Sequence, residues 1–559
     1  MWLPQQKRDG EPCERVADLR AGRQKRRVLL NQYARTGLAY LRTTNGGGYA
    51  CYPKNMSDDT NLLPDTPPDK ASTGVAGLDA ILNGGLPRDW SYMVRGDPGT
   101  GKTTLGLQFL LAGLAAGEAV LYVTLGHTAR ELREIARSHG WSLSGMQIHE
   151  LSEDDAVDAI AADQLLLHPA DVELGEVIER FFEAIETHQP SRVVFDPIEQ
   201  VRLMTGSALR YRQQILKLKR FLTQQRCTTL FLAGGFAEDA DQDLVNIVHG
   251  VIDLERTSRN YGHIRRRLEV TKGRGMVFQE GHHDFEIVTG GLIVYPRLET
   301  RAEGAESEQG RHVSSGVASL DTLLGGGLET GSTCLIVGPT GTGKTSLATL
   351  YAHSAAERGE RSALFLFDER PESFSRRAES LGIGLEEHRA AGRVSVKAVR
   401  TGELSPGAFS QAVREQVEAG AKVIVIDSLT GYLSAMPQEE LLLTHLHELF
   451  VYLGERGVLT LLVMAQRGIL GSGDTEPFDV SYLADTVLLL RHFEDAGRVR
   501  RALSVIKKRY GDHEATIREL RLTEEGIAVG EPISAFSGIL TGTPVFEGNR
   551  RRLLEDDDE

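Results

Sequence analysis

Short apolar runs alternate along this chain with stretches in which apolar residues recur every three or four positions, the spacings typical of strands and helices. Two of the runs, Ser91–Val94 and Thr333–Val337, each lead into a glycine-rich turn. The helical patterns Thr104–Leu111 and Ser346–Tyr351 follow. Strands that alternate with helices predict α/β domains. Further strands are predicted at Leu121–Leu125, Val193–Asp196, Leu230–Gly235, Ala363–Phe367, Val423–Asp427 and Leu461–Gln466.

The two glycine-rich turns share one motif. Residues 96–103 read GDPGTGKT and residues 338–345 read GPTGTGKT, and both fit G-x-x-x-x-G-K-[ST]. Between a strand and a helix, such glycines let backbone N–H groups surround phosphates, while the lysine reaches the β and γ oxygens and the threonine hydroxyl faces Mg²⁺. We therefore predict two ATP sites. Their nucleotide-binding residues are Gly96, Gly99, Gly101, Lys102, Thr103 and Thr104, and Gly338, Gly341, Gly343, Lys344, Thr345 and Ser346.

The similarity of the two halves extends beyond these loops. At a fixed spacing of 242 residues, GVAGLD at 74–79 matches GVASLD at 316–321, and about half of the positions from 74 to 103 are identical. The spacing falls to 231 between Asp196 and Asp427. The 559 residues therefore divide into two homologous domains. We place the first at residues 66–297, a linker at 298–313 and the second at 314–545.

The two ends of the chain differ from these domains. Residues 1–55 carry eleven Lys and Arg against four Asp and Glu, and they show neither strand nor helix periodicity. We expect residues 1–65 to be a disordered extension, or a start codon assigned too early with Met56 as the first residue. Residues 546–559 form a charged tail, in which basic residues precede acidic ones.

Composition limits the class of protein. The apolar content of 41% is ample for packed cores, and no uncharged apolar run approaches the ~18 residues of a membrane span. The four cysteines lack metal-ligand spacing, so we expect Cys227 and Cys334 to be buried, reduced thiols of a cytoplasmic protein. A net charge of −15 argues against broad nucleic-acid binding.

An acidic residue ends one predicted strand in each half. Asp196 and Asp427 follow apolar runs at comparable distances after the two phosphate loops. In that position we expect each carboxylate to hold Mg²⁺ together with Thr103 or Thr345. The alternative is a strand-end aspartate that caps a turn.

Hydrolysis also needs a carboxylate that orients the attacking water. In many RecA-type ATPases that acid ends the strand after the phosphate-loop helix. The second half has Asp368 and Glu369 there, whereas the first half has Gly126 and His127 at the same spacing. We therefore expect Glu369, with Asp368, to be catalytic. His127 is an alternative base or a surface histidine.

A third comparison separates the halves again. Gln466 ends a predicted strand and is placed to sense the γ-phosphate, while the first half has Gly235 at that position. We expect the first domain to bind ATP but hydrolyse it poorly. The second domain is expected to be catalytic through Lys344 and Asp427 as well.

These residues resemble the KaiC family of tandem RecA-like ATPases, over about residues 72–545. The matching signatures are the GVxxLD segments, the turn Gly325–Leu328, both phosphate loops, Val425–Leu429, Lys507–His513 and Gly538–Pro544. The resemblance implies two RecA-like P-loop NTPase domains, each with a mostly parallel central sheet and helices on both faces. It also implies an ATP-dependent homo-hexamer with ATP and Mg²⁺ as its ligands.

In that family a K-x-R segment reaches the nucleotide of the neighbouring subunit. The resemblance assigns this role to Lys507 and Arg509 in the second domain, and to Lys272 and Arg274 in the first. Such cations act where transition-state charge develops. The first copy departs from the pattern, because Phe278 stands where the family has histidine.

The clock members of the family also phosphorylate a Ser-Thr pair in the second domain. Ser481 matches the first acceptor and Tyr482 replaces the second. Autokinase activity at Ser481 is one expectation, with Asp368 and Glu369 as the base for water or for the serine hydroxyl. An ordinary buried serine at a strand start is the other.

Together with the resemblance, these observations favour an ATP-hydrolysing signalling ring of the KaiC type, with self-phosphorylation as a further expectation. By family analogy, protein partners such as two-component regulators would recognise its conformation. A DNA-acting recombinase or helicase relative is an alternative, since Arg256–Arg267 contains five arginines. A non-catalytic, ATP-gated scaffold is the third, and Glu369 and Gln466 argue against it.

Overall fold

The structure is a computed structural model. It describes residues 39–43, 49–53, 69–150, 169–203, 208–235, 242–258, 263–298, 310–400, 402, 404–436, 442–466, 480–495, 497–540 and 544–546. Strands β1 (Ala39–Thr43) and β2 (Tyr49–Pro53) pair antiparallel. The hydrophobic pattern did not predict this hairpin in the expected extension. The tail after residue 546 lies outside the described residues.

The first domain is built on a nine-stranded sheet, preceded by the short pair β3 (Lys70–Ala71) and β4 (Leu86–Pro87). The strands of the sheet are β5 (Ser91–Gly96), β6 (Val120–Thr124), β7 (Gln147–Glu150), β8 (Arg192–Asp196), β9 (Thr228–Ala233), β10 (Gly250–Thr257), β11 (Arg265–Gly273), β12 (His283–Val288) and β13 (Gly291–Tyr295). Their order is β7-β6-β8-β9-β5-β10-β11-β12-β13. Pairing is parallel from β7 to β10 and antiparallel from β10 to β13.

The second domain repeats this topology. A short pair, β14 (His312–Val313) with β15 (Leu328–Glu329), again precedes the sheet. The strands that follow are β16 (Thr333–Gly338), β17 (Arg361–Leu366), β18 (Val394–Ala398), β19 (Ala421–Asp427), β20 (Leu459–Ala465), β21 (Thr486–Asp495), β22 (Arg498–Lys508), β23 (Ile517–Thr523), β24 (Gly526–Pro532), β25 (Phe536–Ser537) and β26 (Val545–Phe546). The order β18-β17-β19-β20-β16-β21-β22-β23-β24 matches the first sheet strand for strand.

Helices pack on both faces of each sheet. Along β5, Tyr92 and Val94 enter one core and Met93 enters another, because side chains alternate across a strand. The same alternation along β16 places Ile336 and Leu335 in separate cores. The helices of the first domain are Ala76–Ile81, Lys102–Ala115, Ala129–Ser138, Pro169–His188, Glu199–Leu203, Ala208–Gln224 and Gln242–Ile247. Those of the second are Ala318–Leu323, Lys344–Glu357, Pro371–Ser380, Glu386–Ala390, Pro406–Glu418, Leu429–Ala435 and Leu442–Glu455.

The predicted fold class is confirmed: two mostly parallel α/β sheets stand in tandem. The predicted strands and phosphate-loop helices are present, with the helices longer than the sequence pattern suggested. The linker differs in one respect, since its last two residues form β14. Cys227 and Cys334 are buried as expected, and burial raises the pKa of both thiols. Across the described residues, no helix combines the length and apolarity that a membrane crossing requires.

The two domains contact each other through specific polar groups. The Arg265 guanidinium donates to the carbonyl of Leu404 at 2.6 Å. The Gly407 N–H donates to Oδ2 of Asp284 at 2.8 Å, and a Cβ at Gly407 would lie only 2.8 Å from Cβ of Asp284. The end of the first sheet therefore rests against the start of the helix Pro406–Glu418.

Candidate nucleotide sites

Both phosphate loops lie at the carboxyl edge of their sheets, between the central strand and its helix. Gly101 and Gly343 have φ of 105° and 100°, a conformation that favours glycine, and a helix begins at the next residue. A Cβ at Gly101 would come within 2.7 Å of Cδ1 of Ile287. The backbone conformation therefore favours glycine here, and a side chain would also displace the end of Ile287. The first N–H groups of each helix face the loop.

The loop lysines are held by their own loops. Lys102 Nζ donates to the carbonyls of Gly96 at 2.5 Å and Asp97 at 3.2 Å, and Lys344 Nζ donates to the carbonyl of Pro339 at 2.8 Å. Burial lowers the pKa of both lysines. The charge of Asp427 opposes this shift at Lys344. A cation under a glycine-rich loop is the arrangement that binds the β and γ phosphates.

Each strand-end aspartate meets the threonine of its loop. Thr103 Oγ1 donates to Oδ2 of Asp196 at 3.0 Å, and the Tyr122 hydroxyl donates to the same oxygen at 2.5 Å. In the second domain Thr345 donates to Asp427, and burial, the largest influence, raises the pKa of Asp427. Hydroxyl and carboxylate oxygens of this kind suit Mg²⁺, so both pairs fit the ion. Sequence comparison missed Tyr122, whose counterpart at the 242-residue spacing is Leu364.

The turn-capping alternative does not describe Asp427. Ser428 caps the helix Leu429–Ala435, since its Oγ accepts the Gly431 N–H at 2.9 Å. The same hydroxyl donates to Oδ2 of Asp368 at 2.5 Å. Asp427 is left to face the phosphate loop.

The acids predicted for catalysis gather in the second domain. Glu369 forms an ion pair with Arg377 at 2.7 Å. The charges of Glu369 and Asp368 both raise the pKa of Asp427, as neighbouring carboxylates do. The structure thus brings Asp368, Glu369 and Asp427 to one edge of the sheet.

Gln466 lies directly after β20 and its N–H donates to the carbonyl of Gly338, the first residue of the second phosphate loop, at 3.0 Å. Among the described residues, its buried side-chain Oε1 has no hydrogen-bond partner. A buried polar atom without a partner is costly and suits a site that receives a polar ligand group. This placement is compatible with the role predicted for Gln466.

The equivalent place in the first domain holds carboxylates. Glu199 Oε1 accepts the Gly234 N–H at 2.8 Å. A Cβ at Gly235 would lie 2.0 Å from Oδ1 of Asp97. Sequence comparison missed both acids. The 231-residue spacing aligns Glu199 with Thr430, and the 242-residue spacing aligns Asp97 with Pro339, so an acid stands against a neutral residue in each case.

An arginine lies over each phosphate loop, and the second loop has a histidine as well. In the second domain, Arg501 Nε donates to the carbonyl of Gly341 at 3.1 Å, and His492 Nε2 lies 3.3 Å from the carbonyl oxygen of Thr340. In the first domain, a Cβ at Gly99 would be 3.1 Å from Nη1 of Arg256. The sequence motif did not indicate these groups because they come from strands far along the chain.

The K-x-R cations lie at the edge of the sheet opposite the phosphate loops, which in the second domain is the edge where β16 begins. Lys507 Nζ donates to the carbonyls of Ser481 at 3.0 Å and Ala484 at 2.7 Å. Arg509 pairs with Asp485 at 2.9 Å, and Asp485 accepts the N–H of Thr333, the first residue of β16. The phosphate loop begins where β16 ends, about 16 Å away at ~3.3 Å per residue. These cations therefore lie far from the phosphate loop of their own domain.

The first domain has the same arrangement. Lys272 donates to the carbonyl of Val245, and Arg274 donates to the carbonyl of Asn246 at 3.0 Å. Both carbonyls belong to the helix Gln242–Ile247, which precedes β10. In neither domain does the structure bring the K-x-R cations to the phosphate loop of the same domain.

Ser481 is exposed and begins a short 3-10 turn, Ser481–Leu483. The strand begins only at Thr486, so the expectation of a buried serine at a strand start is wrong. Tyr482 is exposed as well. Asp479, which precedes this turn, lies outside the described residues.

A cluster of His353, Glu357 and His388 has donor atoms close enough for a metal ion. Its hydrogen bonds indicate another role. Arg393 directs two N–H groups at Nδ1 of His388, at 3.1 and 3.0 Å, and Nε2 of that ring lies 2.7 Å from Glu357. With Nδ1 as the acceptor, Nε2 carries the hydrogen and has no lone pair for a metal. The cluster joins two helices.

Comparison with known proteins agrees with this geometry. A family model described as "ATPase: KaiC" matches residues 71–299 and again residues 313–534. This chain belongs to the KaiC family. The circadian clock oscillator protein KaiC of Acaryochloris marina is 28% identical over 531 residues, which cover 90% of this chain and 95% of that protein. KaiC of Thermosynechococcus vestitus is 29% identical over 502 residues, covering 85% and 92% respectively.

A third relative is a different clock protein. The circadian clock protein KaiC3 of Synechocystis is 26% identical over 487 residues, covering 86% of this chain and 95% of the relative. The tandem match confirms the family and the fold that the sequence predicted. The chain is a KaiC-family ATPase, and the family implies that it binds nucleotide.

Proposed function

We propose that the second domain hydrolyses ATP, with Glu369 and Asp368 orienting and deprotonating the attacking water. The observation that carries this proposal is the clustering of Glu369, Asp368 and Asp427 beside the Thr345 hydroxyl and the Lys344 loop. Gln466, through its buried Oε1 and its bond to Gly338, would contact the γ-phosphate. A non-catalytic scaffold has no use for this set of groups.

Mg²⁺ would be held by Thr345 and Asp427 in the second domain, and by Thr103 and Asp196 in the first. When bound, the ion neutralises charge on the β and γ phosphates. The buried Asp427 carboxylate favours this role, because burial disfavours an isolated charge and a cation compensates for it.

We further propose that the chain acts as a ring, a homo-hexamer by analogy with the family. Lys507 and Arg509 lie at the sheet edge opposite their own phosphate loop, where they cannot reach its nucleotide. In a ring that edge of one subunit faces the nucleotide edge of the next. Lys272 and Arg274 have the same position in the first domain.

The ring also supports an autokinase proposal. Lys507 bonds to the Ser481 carbonyl, so the candidate acceptor and the proposed trans-acting cations share one edge. An exposed hydroxyl at that edge would meet the nucleotide of the neighbouring subunit, whose Asp368 and Glu369 would accept its proton. Tyr482 takes the place of a second acceptor, so we propose one phosphorylation site.

We propose that slow turnover changes the conformation of a cytoplasmic ring, which protein partners such as two-component regulators recognise. The relatives that match are named circadian clock proteins. For this chain we propose only the general role of an ATP-driven signalling switch.

The DNA-binding alternative receives little support from the arginine-rich segment. Arg256 lies over the first phosphate loop, Arg265 bonds to the carbonyl of Leu404, and Arg267 pairs with Asp284 at 3.4 Å. These three side chains contact other groups of the protein and do not form an open basic surface for DNA. Arg259 and the loop after Gln466 lie outside the described residues.

ATP turnover by the purified chain tests the proposed function. We expect turnover that requires Mg²⁺ and falls strongly in Lys344→Ala, with a ring that assembles on ATP. A chain that binds ATP and never hydrolyses it would support the scaffold alternative instead. Retention on single-stranded DNA that weakens with salt would support the DNA alternative.

A further inference from the structure

The two domains carry their acids on different segments. In the second domain Asp368 follows β17, and a Cβ at Gly431 would lie 2.8 Å from its carboxylate oxygens. In the first domain the position of Asp368 is Gly126, where a Cβ would lie 3.1 Å from Cδ of Pro197. The first domain thus has glycine at the position where the second domain has an aspartate.

The reverse holds on the neighbouring segment. After β19 the second domain has Ser428, Thr430 and Gly431, which leave room for Asp368. After β8 the first domain has the larger Pro197 and the acid Glu199. In the second domain the acid follows β17 and small residues follow β19. In the first domain a small residue follows β6 and the acid follows β8, the neighbouring strand. The first domain therefore keeps a carboxylate at this edge, supplied by another segment.

The position of Glu199 is fixed by a backbone group. Its Oε1 accepts the N–H of Gly234, which directly follows β9, at 2.8 Å. A Cβ at Gly234 would lie 2.7 Å from that oxygen, so the absence of a side chain there lets the carboxylate approach closely. Strand β9 lies between β8, which ends in Asp196, and β5, which leads into the phosphate loop. The carboxylate is held where these three strands end.

The strand end that binds Glu199 lies beside the phosphate loop. A Cβ at Gly235, the residue after Gly234, would lie 2.0 Å from Oδ1 of Asp97, which belongs to that loop. Glu199 is therefore held at the strand end that adjoins the first phosphate loop.

We propose that Glu199 is the catalytic carboxylate of the first domain, in place of the acid that Gly126 and His127 do not provide. This proposal rests on the proposed function, in which each domain binds ATP. Glu199 takes a proton from water, the water oxygen forms a bond to the γ-phosphorus, and the bond between that phosphorus and the bridging oxygen of ADP breaks. The products are ADP and inorganic phosphate. The first domain is then a second hydrolytic site.

The test uses the full chain with Asp368→Asn and Glu369→Gln, which removes the acids of the second domain. We expect residual turnover in this background, and we expect Lys102→Ala to abolish it, which assigns it to the first phosphate loop. Adding Glu199→Gln lowers the residual turnover by about 10²-fold or more, the range of a lost general base. Glutamine keeps an oxygen for the Gly234 N–H, so only the charge is removed.

A second readout separates catalysis from folding. Nucleotide extracted from the background chain should contain ADP from the first domain and unhydrolysed ATP from the second. Adding Glu199→Gln should replace that ADP with ATP, with equal total nucleotide bound. Glu134→Gln is the matched control, because Glu134 is exposed on the same domain and pairs with Arg137, its neighbour on the same helix. That control should change neither turnover nor nucleotide content.

Two results would overturn the proposal. One is residual turnover that Glu199→Gln leaves unchanged. The other is a wild-type chain that hydrolyses ATP while the Asp368→Asn, Glu369→Gln chain binds ATP at the first loop without any hydrolysis. A wild-type chain with no turnover at all would contradict the proposed function itself. Measuring wild-type turnover first therefore separates that failure from a failure of the Glu199 proposal.

Discussion

The carboxylate of Glu369 and the guanidinium of Arg377 lie 2.7 Å apart, one just after β17 and the other on the helix Pro371–Ser380. Arg377 also acts on Asp427, whose pKa its charge lowers against the larger opposing effect of burial. One arginine therefore orders two of the acids proposed for the second site. The first domain has Ile135 at the position of Arg377, where neither Gly126 nor His127 offers a carboxylate to pair with.

The first prediction concerns Glu369. In a chain whose first loop is silenced by Lys102→Ala, Glu369→Gln should lower ATP turnover by about 10²- to 10⁴-fold, because the amide cannot accept a proton. Steady-state phosphate release measures this. Glu379→Gln, on the exposed face of the adjacent helix, serves as the control and should leave turnover unchanged. Equal turnover in the two variants would contradict the assignment.

The second prediction tests the action of Arg509 across a subunit boundary. In the chain whose first loop is silenced by Lys102→Ala, Arg509→Ala should lower turnover by about 10³-fold, as the loss of an arginine finger does, with ATP binding at the second loop retained. Arg521→Ala removes an exposed arginine that pairs with Glu519 and should have little effect. Turnover and binding by filter retention are the measurements.

Mixing makes the same prediction stricter. Arg509→Ala chains combined with Glu369→Gln chains, both also carrying Lys102→Ala, should regain turnover, since some second-domain sites would receive a wild-type acid and a wild-type cation from different subunits. Sedimentation velocity verifies that mixed rings form. If mixed rings form and no turnover returns, the cation does not act in trans.

The third prediction concerns Ser481. Incubation with γ-labelled ATP should label the wild-type chain, and Ser481→Ala should remove the label, because the exposed hydroxyl is the proposed acceptor. Tyr482→Phe keeps the neighbouring ring without its hydroxyl and should retain the label. Loss of label in Tyr482→Phe alone would place the phosphate on the tyrosine instead.

The fourth prediction follows from the raised pKa of Asp427. A carboxyl group whose folded-state pKa is raised stabilises the fold below its unfolded pKa, and this contribution is lost as pH rises through the folded value. Without Mg²⁺ and nucleotide, Asp427→Asn should therefore be more stable than wild type above that range. Each kcal/mol would raise Tm by roughly 2–4 °C.

Thermal melts from pH 4 to pH 8 check this, and the gap in Tm should widen as pH rises. With the first loop silenced by Lys102→Ala, the same variant should lose Mg²⁺-dependent turnover, because the carboxylate oxygen that would hold the ion is gone. Glu379→Gln, which changes an exposed side chain, is the comparison and should show no such gap in Tm. A gap in Tm that narrows with rising pH would contradict the sign of the argument.

Several features could be predicted from the sequence because each is carried by a contiguous segment. The phosphate loop binds through backbone N–H groups and one lysine within eight residues, so its residues fix its geometry. Strand-end acids such as Asp427 follow from an apolar run and the residue after it. The repeat at constant spacing then predicted the second domain from the first.

Comparison of the halves by position also had a limit. It noted that Gly126 and Gly235 lack the side chains of Asp368 and Gln466, and the first domain therefore seemed to lack these groups. It did not identify Glu199, because this acid follows β8, whereas the acid of the second domain follows β17, the counterpart of β6. Only the structure shows that β6, β8 and β9 end side by side, so that an acid on either segment reaches the same edge of the sheet.

What the sequence by itself determined is the presence of two homologous ATP-binding α/β domains, the acids and lysines of their loops, and the family. What only the tertiary structure decided is which groups share a site: Glu199 with Gly234 in the first domain, and Lys507 with Ser481 at the edge far from their own loop. The physical reason is distance along the chain. Contacts within a motif are set by local backbone geometry, whereas these depend on how strands many residues apart are ordered in the sheet.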